Sequence, residues 1–477
     1  MAKRSFDVND TSKSIPSLIF LIAWPVFLEQ ILTTLVSYAD NAMVGALGAN
    51  ATASVTISNT PMFLLNAVVM ALGMGITTMI AQATGAGDKE LVRTLEKHAV
   101  LTIIFVGIPV VGIMIALHRV IPIWMGADPE ILDTAANYNL IVGCGRIFLV
   151  ISLILSSAFR GYGDTKTPMK INMAMNVINI VFNFFLINKT REITLFNKIT
   201  FTCPGAGWGV EGAATATAIS MAFAGIMALR VLYFKKNDYQ ITLRESYRPD
   251  KELCKKIFKI SLPAMLERIC MSSAGMLVTR NVATLGTVAV ASNALAMTAE
   301  SISYMPAFSF QTATVTLVGQ CLGSGKPDRA HEFVKSTLGI ASAIMAVMSV
   351  LLYVFAGPLL RFFTPDEAVI ALGSECLKVY ALIQIPQAVC WIFMGALRGA
   401  GDTQFSFYIT AATEWGIRTV LAYVFVRGLK LGLVYVVWAF VASLMVRLLL
   451  VILRYRGGKW REMNFVAASA KKYDQAV

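Results

Sequence analysis

Arg160-Gly161-Tyr162-Gly163-Asp164-Thr165 and Arg398-Gly399-Ala400-Gly401-Asp402-Thr403 are one six-residue phrase written twice, 238 residues apart. The same offset relates Trp24-Pro25-Val26-Phe27-Leu28-Glu29-Gln30 to Leu262-Pro263-Ala264-Met265-Leu266-Glu267-Arg268, and Gln82 to Gly87 to Gln320 to Gly325, with no gap needed. The chain is therefore a tandem duplication. What surrounds the phrases decides the solvent of its halves. Hydrophobic residues make up 56% of the 477 and charged residues 14%, and mean hydropathy is +0.66. Soluble domains carry about 25% charged residues, so this composition points to lipid.

A spanning helix needs ~20 mostly apolar residues. Apolar stretches over 15–41, 53–83, 96–118, 132–158, 168–188, 209–234, 256–281, 290–319, 334–356, 369–396, 405–427 and 432–454 give twelve candidate helices. The fold expected is an all-α integral membrane protein of two pseudo-symmetric six-helix lobes. Its parts are a tail 1–14, a first lobe 15–234, a linker 235–255, a second lobe 256–456 and a tail 457–477. Six helices per repeat place both halves in the same orientation, as parallel repeats about an axis along the membrane normal. Several stretches exceed 25 residues, so tilt is expected. Lys and Arg number 27 on the side of the N-terminus and 8 on the other. Cytoplasmic loops are the basic ones, which puts both termini and the linker in the cytoplasm. The first span leaves through Ala39-Asp40-Asn41-Ala42, which does not resemble a signal-peptidase site, and is read as retained.

The net charge of +13 sits in the loops between apolar runs, where it is a topology signal and not a nucleic-acid surface. Seven Cys lack CxxC spacing and three His lie far apart, so neither a disulfide framework nor a metal site is expected. The Gly-rich phrases do not continue into a Gly-Lys-Ser/Thr, which excludes a P-loop. Both Arg-Gly-x-Gly-Asp-Thr phrases are expected to be tight structural or gating turns. Their Arg and Asp are expected to pair or to cap the following helix.

Ionisable groups inside apolar spans are costly and mark function or a buried partner. Glu29, Asp40, Glu267 and Glu414 are the acids that stand out, and Arg146 is a further internal charge. Glu29, Thr33 and Asp40 share one helical face, and Asn172, Asn176, Asn179 and Asn183 form a second polar stripe. The two stripes offer oxygen ligands and an exchangeable carboxylate for Na⁺ or H⁺, or else amides bonding helix to helix. Asp40, Asn176, Asn179 and Asn183 are the candidate cation site, with Na⁺ at Asp40 the one metal considered. Glu29, Glu267 and Glu414 are candidate coupling or substrate carboxylates. The repeat places Val278 opposite Asp40 and Glu414 opposite Asn176, so the lobes have diverged. Arg418, one turn after Glu414, is a candidate partner for it. Tyr304, Phe308, Trp391 and Met394 offer an adaptable apolar lining.

Taken together, the WP..LEQ…YAD stretch, the paired Q…GxG loops and the paired RG-x-GDT turns resemble the multidrug and toxic compound extrusion (MATE) family, over nearly the whole chain. The resemblance implies secondary active efflux of amphipathic, cationic organic compounds in exchange for Na⁺ or H⁺, by alternating access in a bacterial-type cytoplasmic membrane. It matches Asp40 to the family's first-helix cation-site Asp, Asn179 to an Asn of the fifth helix, and Glu267 to the acid of the seventh. Asn183 stands where many members have Asp, and Gln384 and Gln387 stand near a missing tenth-helix Asp. No enzyme, cofactor, nucleic acid or oligomer is expected. The alternative on the same fold is a flippase for a lipid-linked precursor, which calls for a more basic cavity. A membrane-embedded enzyme lacks a mid-span His, and a channel is disfavoured by the duplication.

Overall fold

The computed structural model describes residues 8–10, 12–195, 199–235, 238–242 and 244–465. Its first half contains α1 (Ile15–Gly45), α2 (Ala49–Ala86), α4 (Pro129–Gly161), α5 (Lys166–Ile187) and α6 (Gly209–Phe234). Between α2 and α4, α3 runs through Lys89–Thr102, Ile103–Gly107 and Ile108–Ala116. The second half contains α7 (Lys251–Ala283), α8 (Thr287–Gly323), α9 (Pro327–Val354) and α12 (Leu433–Arg456). Between them lie α10 (Glu367–Leu382 with Gln384–Ala400) and α11 (Thr403–Ala411, Ala412–Thr419, Val420–Tyr423 and Val424–Gly428).

Helix starts follow local chemistry. Asp88, Asp128, Asp250 and Asp366 each accept a hydrogen bond from a first-turn amide, which satisfies donors the helix leaves open. Among the described residues eight helices are long and apolar enough to cross a bilayer, or nine if bent α10 counts as one span.

Three expected spans are not straight rods. α10 bends by 50° at Ile383. α3 and α11 contain π-helical turns, over Ile103–Gly107 and over Ala412–Thr419 and Val424–Gly428. Hydropathy reads apolar length and is blind to such turns, in which i→i+5 bonding inserts an extra residue. A β-hairpin, β1 (Lys189–Leu195) with β2 (Ile199–Ala206), joins α5 to α6 where the sequence reading assigned no element.

α4 packs along α2 and α6, and α8 along α9 and α10, while α2 crosses both α7 and α8 to join the halves. The halves also exchange the first turns of their opening helices, which otherwise pack within their own half. Leu18, Ile19 and Ile22 at the start of α1 are buried in the apolar core of the second half. Leu253, Ile257 and Ile260 at the start of α7 are buried in that of the first. Near the Arg-Gly-x-Gly-Asp-Thr turns α2 and α8 touch main chain to main chain. A methyl group on Gly85 would overlap the Gln320 carbonyl, and one on Gly323 the Gln82 carbonyl, so only glycine fits at either crossing point.

Candidate functional site

The two polar stripes read from the sequence face each other along α1 and α5. Asn172 Nδ2 donates to Glu29 Oε1 at 2.7 Å, Asn176 Nδ2 to Thr33 Oγ1 at 3.4 Å, and Asn183 Nδ2 to Asp40 Oδ1 at 2.6 Å. Every one of these pairs is 143 residues apart, as expected when two parallel helices lie in one register. With its amide nitrogen turned toward Asp40, Asn179 lies 2.8 and 3.0 Å from the two carboxylate oxygens. The structure therefore gathers Asp40, Asn179 and Asn183. It places Asn176 further along the ladder, on Thr33.

Asp40 opens onto a cavity of about 440 Å³ inside the first half, walled in part by Asn59, Asn66, Tyr138, Arg146 and Thr217. Arg146 Nη1 donates to Asn66 at 3.2 Å. The partner that sequence could not supply for Arg146 is thus an amide on α2.

The other three candidate acids are neutralised by guanidiniums. Arg160 Nη2 reaches Glu29 Oε1 and Oε2 at 2.6 and 2.8 Å. Arg398 Nη2 reaches Glu267 Oε1 at 2.7 Å, and Thr410 donates to the same oxygen at 3.0 Å. The two pairs are equivalent under the repeat, and each spans 131 residues. Adjacent Arg268 is not the partner of Glu267. Glu414 is held from two sides, by Arg418 at 3.0 Å and by Arg447 at 2.6 Å. The Arg418 contact was legible as an i,i+4 spacing; Arg447, on α12, was not.

The Arg and Asp of each turn do not pair with one another. Asp164 accepts from the Thr167 amide at 3.0 Å and pairs with Lys235 at 2.6 Å. Asp402 pairs with Arg454 at 2.8 Å. The turn backbones serve the opposite half. Thr78 donates to the Arg398 carbonyl and Thr316 to that of Arg160, both at 3.1 Å.

Two buried acids escaped the sequence reading, Glu96 on α3 and Glu300 on α8. Glu300 on α8 is 8% exposed, and its Oε1 has no hydrogen-bond partner among the described residues. It lies inside the apolar span 290–319, between Ala299 and Ser301, so the rule that singled out the other acids applies to it as well. Trp391 meets Tyr304 and Phe308 edge-on at ring separations of 5.1 and 6.3 Å, which joins three of the aromatic residues singled out as a lining.

The MatE family pattern matches this chain twice, over residues 25–185 and 263–424. The chain belongs to the MatE family. The two matches begin at Pro25 and Pro263, the same pair of prolines that opens the repeat. Among curated MatE relatives, the probable multidrug resistance protein NorM of Thermotoga maritima is 30% identical over 443 residues, 92% of each chain. The uncharacterized transporter YisQ of Bacillus subtilis is 25% identical over 442 residues, 93% of this chain and 94% of that one. A solved multidrug resistance MATE family transporter, in an outward-facing conformation, matches with a TM-score of 0.85 at 22% identity. That match covers 96% of this chain and 100% of the other, and at this identity it bears on the fold. This MatE chain is a multi-pass membrane transporter and not an enzyme.

Proposed function

We propose that this transporter is a secondary antiporter that exports amphipathic organic compounds, cationic ones among them, in exchange for Na⁺ or H⁺. The observation that supports the reading is the isolation of Asp40. Glu29, Glu267 and Glu414 each carry an arginine. Asp40 has amides around it and no ion pair among the described residues. An unpaired carboxylate in a membrane interior is expensive, and binding of a proton or Na⁺ removes the cost. Asn179 and Asn183 hold the carboxylate, and their amide oxygens are ligands of the kind Na⁺ takes. Asn176 braces the ladder through Thr33. The paired acids Glu29, Glu267 and Glu414 set the geometry of the lobes, and any role in coupling runs through their arginines.

The lobes 15–234 and 256–456 rock about the α2–α8 crossing, and the cargo sits in the cleft between them. Both termini lie in the cytoplasm of a bacterial-type membrane, and the unit is a monomer. The test is efflux of rhodamine 6G from proteoliposomes under a Na⁺ gradient and a proton gradient applied separately. Transport driven by one ion and lost in Asp40→Asn supports the reading. Gradient-driven efflux at the wild-type rate in Asp40→Asn overturns the assignment, and ligand binding without any gradient-driven transport favours the flippase.

A further inference from the structure

The cavity at the junction of the two halves carries an unbalanced positive charge. It has a volume of about 180 Å³, and its charged lining is Glu29, Arg160, Arg268 and Arg398. Two of these arginines are neutralised, Arg160 by Glu29 and Arg398 by Glu267. Arg268 is not: among the described residues its guanidinium makes no hydrogen bond and no ion pair. Three guanidiniums thus meet two carboxylates around one small space. Donors are also left over. The Nε atoms of Arg160 and Arg398 are buried without an acceptor, and Arg398 is 8% exposed. Arginine cannot shed its proton to escape such a setting, and a buried donor without an acceptor costs about 1–3 kcal/mol.

The charge is not imposed by the repeat. Position 268 corresponds to Gln30, which lines the same cavity from the first half. The second half has therefore placed a cation where the fold is satisfied by a neutral amide. The rest of the wall is suited to an apolar body, with Met74 on α2 and Phe308 on α8 facing the same space.

We propose that this junction cavity is a subsite for an acidic group, a carboxylate, sulfonate or phosphate, borne by an amphipathic organic molecule. Arg268 supplies the counter-charge, the free Nε–H groups of Arg160 and Arg398 are further donors, and Met74 and Phe308 contact the apolar part. The cargo therefore includes anionic or zwitterionic compounds, and a purely cationic one is repelled from this end of the cleft. The inference deepens the export reading above and rests on it only for transport, since binding is measurable without a gradient.

The test is fluorescence anisotropy of carboxyfluorescein with the detergent-solubilised full chain, compared with cationic rhodamine 6G. Losing one charge-assisted contact lowers affinity roughly ten- to a hundredfold. Arg268→Gln is expected to lower the ratio of carboxyfluorescein to rhodamine 6G affinity by at least tenfold. Gln30→Arg is expected to raise it, which keeps the proposal open to refutation if the first variant folds poorly. No saturable binding of carboxyfluorescein to the wild type, or a ratio unmoved by either variant, overturns the proposal. Displacement of the dye by stoichiometric phosphatidylglycerol assigns the site to a lipid phosphate and overturns the choice of a free amphiphile. If Asp40→Asn leaves gradient-driven transport intact while the ratio still shifts, the antiport reading fails and the anion subsite stands.

Discussion

Gln82 and Gln320 stand at equivalent positions in the two halves, and each reaches across to the turn of the other. Gln82 Nε2 lies 3.3 Å from the carbonyl oxygens of both Gly399 and Ala400, and Gln320 Nε2 lies 3.0 Å from that of Gly161. Together with Thr78 and Thr316 they form a reciprocal latch, buried and wholly neutral, which joins the two halves at the end bearing the Arg-Gly-x-Gly-Asp-Thr turns. Gln82 also accepts from the Phe465 amide at 3.0 Å, so the segment after α12 is tied into the same joint.

Loosening the latch shifts the balance between closed and open lobes. Gln320→Ala removes one hydrogen bond worth about 1 kcal/mol and leaves the Gly161 carbonyl unpaired. The expected outcome is roughly a fivefold rise in the separated form, read by spin-label distances between the lobes at that end. An unchanged distance distribution would sink the latch.

The α2–α8 contact is steric as well as polar. Gly85→Ala and Gly323→Ala each drive a methyl group into a main-chain carbonyl. Both are expected to lower the melting temperature by several degrees and to slow transport. Because the contacts are equivalent, the two variants should be alike within a factor of about two, judged against the usual accuracy of single-site comparisons. A large difference between them would show that the crossing is not a symmetric joint.

Glu29 and Glu267 should behave as halves of ion pairs. Neutralising one member of a buried pair strands the other charge at a cost of about 3–5 kcal/mol, whereas removing both is far milder. Glu267→Gln is expected to destabilise strongly and Glu267→Gln with Arg398→Gln much less, measured as a double-mutant cycle on thermal unfolding in detergent. Additive effects would mean that the 2.7 Å contact carries no coupling.

Glu414 has two guanidiniums, and they are not equal. Arg447 lies closer, at 2.6 Å against 3.0 Å, and its Nε also donates to Thr413 Oγ1 at 2.9 Å. Arg447→Met should therefore lower the melting temperature more than Arg418→Met. The reverse order would place the main support of Glu414 on its own helix.

Outside the membrane, the linker is docked by Glu245. The side chain accepts from Lys97, 2.8 Å away, and from the Thr242 amide, and these contacts hold its carboxyl below the ordinary value of 4.5. A depressed acid stabilises the docked linker above the unfolded value and loses that contribution as pH falls through the folded one. Hydrogen exchange of segment 238–247 should be faster in Glu245→Gln than in wild type at neutral pH. The difference should close as pH falls through the folded value of the Glu245 carboxyl, below which the wild-type side chain is itself protonated. A gap that persists there would rule out the charge as its cause.

The legible part of this molecule was whatever repeats along the chain. The 238-residue offset and the apolar stretches yielded the fold, and the spacing of Asn172 to Asn183 yielded one wall of the Asp40 site. What stayed hidden depends on distance in space. Arg160 and Glu29 both lay inside quoted phrases, yet nothing in either phrase says that they touch across 131 residues. Arg447 and Arg418 share Glu414 because α12 packs on α11, a tertiary fact. The bend at Ile383 and the π turns of α11 leave composition unchanged, so hydropathy passes over them. Glu300, inside the span 290–319, was legible by the same rule as the other acids, but its lack of a partner is a fact of the packing.

The exchange of these first turns has a consequence for how the chain can be made. Neither six-helix unit owns a complete interior: Leu18, Ile19 and Ile22 fill the far core, and Leu253, Ile257 and Ile260 fill the near one. A gene cut within the linker should therefore give two fragments that are unstable apart in the membrane and functional when co-expressed. An ancestor encoding a single unit would have been viable only as an interlocked pair.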